Sequence, residues 1–167
     1  MTLIPADDST TRLFLRHALA TLAYRAGKAL RGTPEAFAQY RVSADSPRVV
    51  DIVAHMGDLT EAFAGRLQGN AQWRVATPQP WDAEVARLFA ALKTADDVLA
   101  AGAPIAADPG LLFQGVLADA ITHTGQLAML RRLAGFKMKG EAYARAEIVI
   151  GRVGLEQEPP KPEFEFD

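Results

Sequence analysis

Four stretches of the chain repeat apolar residues every three or four positions, and no stretch alternates convincingly between apolar and polar residues. The pattern predicts helices over about 9–31, 46–68, 82–101 and 109–134. At about 100° per residue, the first places Leu15, Leu19, Leu22, Ala26 and Ala29 on one stripe. Asp8 or Ser9 can cap it, and Gly32 before Thr33-Pro34 stops it. In the second, Val49, Ile52, Val53, Met56, Thr60, Phe63 and Leu67 line up, with Ser46 as expected cap and Pro47 at the first helical position. The third carries Val85, Leu88, Phe89, Leu92 and Leu99. The fourth opens at Asp108-Pro109 and carries Leu112, Val116, Ala120, His123, Leu127 and Leu130. PEAFAQY suits a short turn of helix between the first two, and GNAQWRVATPQPW is a long linker between the second and third.

From residue 135 onward the pattern is lost. FKMKGEAYARAEIVIGRVG suits either a short helix or an extended arm, and the acidic, proline-rich EQEPPKPEFEFD suits a surface or disordered tail. The expectation is one all-α domain over 1–167, a four-helix bundle followed by a C-terminal arm.

Composition narrows the function. Eighteen Lys and Arg against twenty Asp and Glu leave a net charge of −2, with no basic stripe for nucleic acid. No cysteine is present, which excludes disulfides, thiolate ligands and a cysteine nucleophile. MTLIPADDST lacks the basic and apolar regions of a signal peptide, and no apolar run approaches the roughly 18 residues of a membrane span. A cytoplasmic protein, not bound to membrane, is expected. Dinucleotide and Walker loops, H-E-x-x-H and G-x-S-x-G are all absent.

The candidate chemistry lies in ADAITHTGQL. Asp119 and His123 are four apart, so their side chains share one helix face. His123 falls on the apolar stripe, Asp119 nearer its edge, and Gln126 on the same side. His55 sits at the edge of the second helix's stripe. Two readings stand. In one, Asp119 accepts a hydrogen bond from His123 and the pair is structural. In the other, His55, Asp119 and His123 bind a divalent metal, for which two imidazoles and a carboxylate suit zinc, iron or nickel. Gln126 would then orient a ligand or support His123. His17 lies off its helix's stripe and reads as a surface residue. Asp96 falls on the third helix's stripe and reads as an interhelical hydrogen bond, while Glu61 and Arg66 read as solvated charges.

The order RHALATLAYRAGKAL, VVDIVAHMGDLTEAFAGRL, WDAEVARLFAALKTADDVLA, LADAITHTGQLAMLRRLAG resembles the DinB/YfiT-like superfamily of metal-dependent four-helix bundles over residues 10–140. AHMGDL and ITHTGQLAMLRRLAG carry most of the likeness. The resemblance implies a long crossing connection between the second and third helices. It implies metal ligands at His55 and His123, with Asp119 where many members have histidine. That departure either changes metal preference or marks loss of the metal. It further implies homodimers, for which the Leu13/Tyr24 face is a candidate, and a transferase using a low-molecular-weight thiol, or a hydrolase. The competing expectation is a non-catalytic ligand-binding or stress-response dimer.

Overall fold

The structure, a computed structural model, describes residues 9–167, so Asp8 lies outside the described residues. The chain is mostly helical, as its periodicity predicts. Helix α1 spans Ser9–Leu30 and ends at Gly32, whose φ of 68° is the left-handed turn that favours glycine. A short α2, Glu35–Ala38, follows in PEAFAQY. Helix α3 spans Val49–Leu67 and α4 Trp81–Ala100. The last long helix is compound: α5 over Pro109–Leu112, a π-helical turn over Phe113–Leu117, and α6 over Ala118–Leu133. Asp108 caps its start by accepting from the amides of Gly110 and Leu111.

Helix α3 begins later than Ser46 predicts. Ser46 closes a local turn with Ser43, its hydroxyl accepting from the Ser43 amide at 2.9 Å and donating to the Ser43 carbonyl at 3.0 Å. The helix is started instead by Asp51, whose carboxylate accepts from the Arg48 amide at 2.9 Å.

Every stripe residue predicted for α1 and α3 is buried. Helix α1 packs against α4 and α6, and α3 packs against the same two. Their directions follow from contacts at the ends. Arg12, near the start of α1, donates to the carbonyls of Leu99 in the last turn of α4 and Ala103 just beyond it. Arg131, near the end of α6, caps the end of α1 by donating to the carbonyls of Lys28, Ala29 and Arg31. Arg87, early in α4, donates to the carbonyl of Ala54, early in α3, and the Ala106 amide donates to the Leu67 carbonyl past the other ends. Helices α3 and α4 are therefore parallel. Residues 68–80 must run back along the pair to connect them, as the expected crossing connection requires.

Two buried carboxylates hold that connection. Asp58 accepts from the Ala76 amide at 3.1 Å, and Glu84 accepts from the Gln79 amide at 2.8 Å. Arg87 compensates both charges, at 3.0 Å from Asp58 and 2.6 Å from Glu84. Burial works against its guanidinium charge, but the hydrogen bonds it donates to Glu84, Asp58 and Glu61 outweigh it and raise its pKa. Glu61 is thus one of the partners of Arg87 rather than a free solvated charge. Asp96 does make the expected interhelical contact, paired through both oxygens with Arg16 of α1 at 2.8 and 2.9 Å.

The C-terminal segment is an extended arm with short 3₁₀ turns. Its strands β1, Gly140–Glu141, and β2, Glu165–Phe166, pair antiparallel, which brings the acidic tail onto the domain. Glu141 is buried, accepting from the Tyr24 hydroxyl at 2.6 Å and from Lys28 at 2.8 Å. Burial and then the Glu141 carboxylate push the Tyr24 phenol above its usual pKa, keeping it a proton donor. Tyr24 is only 5% exposed. The proposed Leu13/Tyr24 dimer face is therefore not a continuous surface, because the chain's own arm covers Tyr24. Among the described residues no helix is long and apolar enough to cross a membrane.

Candidate metal centre

His55 projects from the second turn of α3, and Asp119 and His123 project from α6, which packs against it. The structure brings all three together: one donor atom from each lies within 4.8 Å of the others. His55 Nε2 is 3.4 Å from one Asp119 oxygen, and His123 Nε2 is 3.3 Å from the other. The two imidazoles meet edge to face, with centroids 5.0 Å apart.

These distances bear on the two readings of the Asp119–His123 pair. An N–H···O bond is ordinarily about 2.7–3.2 Å long, and both contacts exceed that. Donors held tetrahedrally at about 2.0–2.1 Å from an ion stand about 3.3 Å from one another. The two imidazole-to-carboxylate separations, each to a different Asp119 oxygen, lie near that spacing. The residues fit a first-row divalent ion in chemistry and in spacing.

Gln126 prepares His123 for that role. Its Oε1 lies 2.8 Å from His123 Nδ1, a contact in which Nδ1–H donates to the amide oxygen and Nε2 is turned toward Asp119. A partner on the far nitrogen fixes both tautomer and ring direction. The expected support from Gln126 is present, although Gln126 itself is exposed.

Burial differs from expectation. Uniform periodicity puts His123 on the buried line of the fourth helix. The π-helical turn over Phe113–Leu117 takes up one extra residue. The line then continues through Ala120, Thr124 and Leu127, and His123 stands on its flank, its side chain 20% exposed. Asp119 and His55 are more open, at 42% and 37%. All three side chains are partly open to solvent, which a core histidine would not be.

Two neighbours escaped sequence reasoning. Trp73, in the crossing connection, meets the His55 ring edge-on at 6.0 Å, yet is 52% exposed. A tryptophan in an otherwise polar linker was the available signal. Arg66 is half-buried, its Nη1 3.9 Å from where a Cβ at Gly115 on the π-helical turn would stand. His17 is exposed, away from the site. No protein-family model, curated protein or solved structure matches the chain.

Proposed function

We propose that this chain is a metal-dependent enzyme of the DinB/YfiT-like kind, a four-helix bundle whose divalent ion sits on His55, Asp119 and His123. The carrying observation is the convergence of His55, Asp119 and His123, one donor atom from each lying within 4.8 Å of the others. A divalent ion there supplies Lewis acidity, making an attached thiol or water easier to deprotonate at neutral pH. The absence of cysteine means that any thiol comes from the ligand. The resemblance to DinB/YfiT-like proteins implies a transfer reaction using a low-molecular-weight thiol, or a hydrolysis, and that chemistry would serve either.

The chain's own residues divide the work. His55 and His123 offer neutral nitrogen donors from two helices. Asp119 supplies a negative charge where a third imidazole would supply none, which favours a dication. Gln126 holds the His123 proton on the nitrogen facing away from the site. Trp73 walls one side of His55.

Metal analysis of the untagged protein tests the reading. About one zinc, nickel or iron ion per chain is expected, and added metal should raise the melting temperature. His123→Ala should abolish both effects, and His55→Ala should weaken them strongly. Finding no metal and no thermal response to added zinc or nickel would leave the trio as a structural cluster in a non-catalytic protein.

A further inference from the structure

Toward the start of the last long helix from Asp119, a cation stands beside Gly115. Gly115 precedes Asp119 by four residues, about 6 Å along the helix. A side chain at Gly115 would meet, outside its own helix, only Arg66 Nη1, at 3.9 Å. The space beside Gly115 is otherwise open. Arg66 follows His55 by eleven residues, three turns at nearly the same angle, so both face α6. Helical side chains lean toward the helix N-terminus, the direction in which His55 lies. Ala62, one turn before Arg66 on that face, is too small to block the way.

Among the described residues the Arg66 guanidinium makes no ion pair and no hydrogen bond. Guanidinium offers five donors in a planar fork suited to a carboxylate. Half-buried and unpaired, it lacks the partner that Arg16, Arg48 and Arg87 each have.

We infer that the ligand of this site is bifunctional: one end binds the ion on His55, Asp119 and His123, and the other end is a carboxylate held by Arg66. The spacing along the helix sets the two ends about 6–9 Å apart. This inference rests on the proposed metal site and names the class of molecule that site takes.

Cobalt(II)-loaded protein provides the test, because visible absorption reports thiolate binding to the ion. 3-Mercaptopropionate and 6-mercaptohexanoate are titrated beside their uncharged counterparts, 3-mercapto-1-propanol and 6-mercapto-1-hexanol. At least one acid should bind about tenfold more tightly than its alcohol, and higher ionic strength should shrink that preference. Arg66→Gln should remove the preference while leaving cobalt affinity and melting temperature unchanged, and Arg66→Lys should keep part of it. Equal binding of acids and alcohols, or a preference that persists in Arg66→Gln, would overturn the inference and leave the metal site standing. Failure to load cobalt at all would overturn both.

Discussion

His123 is held at both ends, and that sets what each neighbour contributes. Gln126 fixes the proton on Nδ1, and Nε2 is left facing Asp119. Replacing Gln126 with Leu frees the ring to turn and to change tautomer. Metal affinity, read by competition with a chelating dye, should fall by about 10- to 100-fold. The melting temperature of the metal-free protein should hardly change, because Gln126 is exposed. At this scale much was legible from spacing. Residues four apart on a helix must be neighbours, so Asp119 and His123 belong together in any helical fold. His55 could be placed only at the edge of a buried face. Its meeting with Asp119 depends on how α3 packs on α6.

Elements show where spacing ran out. The start of α3 belongs to Asp51 and not Ser46. Hydrogen bonds from Arg48 hold the Asp51 carboxyl below its ordinary pKa, against a smaller effect of burial. A pKa lowered by folding contributes stability that is complete above the unfolded value and is lost as pH falls through the folded one. Asp51→Ala should therefore cost about 0.5–2 kcal/mol near neutrality, with the gap closing below about pH 4 in urea titrations run across pH. The same helix carries Gly57, two residues past His55. A Cβ at Gly57 would stand 2.8 Å from the guanidinium of Arg87. Arg87 cannot easily give way, since Glu84, Asp58 and the Ala54 carbonyl all hold it. Gly57→Ala should destabilise by about 1–3 kcal/mol, visible as a lower urea midpoint. The periodic pattern predicts four helices correctly, yet it says nothing of an arginine passing over a glycine. That contact joins residues on different helices.

Across the whole molecule, the arm and the crossing connection are tied down by buried charge. Lys28 and Glu141 pair with side chains 8% and 0% exposed, and Tyr24 adds a hydrogen bond. Glu141→Ala removes one partner and leaves Lys28 with Glu165 alone. Stranding a buried charge is expensive, and the cost here should be about 2–4 kcal/mol, measured by chemical denaturation. The crossing connection relies on Arg87 in the same way. It passes Trp73 across His55, so the wall of the site depends on contacts between α3 and α4 remote from any ligand.

Hydrophobic periodicity alone settled that the chain is helical and which residues face the core, because an amphipathic stripe must be buried wherever the helix goes. It also singled out Asp119, His123 and His55 as polar groups on or beside those stripes. The parallel course of α3 and α4, the flanking position of His123 and the fold of the arm were set by packing. One π-helical turn displaced the buried line by a residue, and pairs such as Arg87 with Glu84 and Asp58, or Lys28 with Glu141, fixed which surfaces met. Such contacts join residues far apart in the chain, so no local pattern announces them. The meeting of His55 with Asp119 and His123 exists only once those contacts are made.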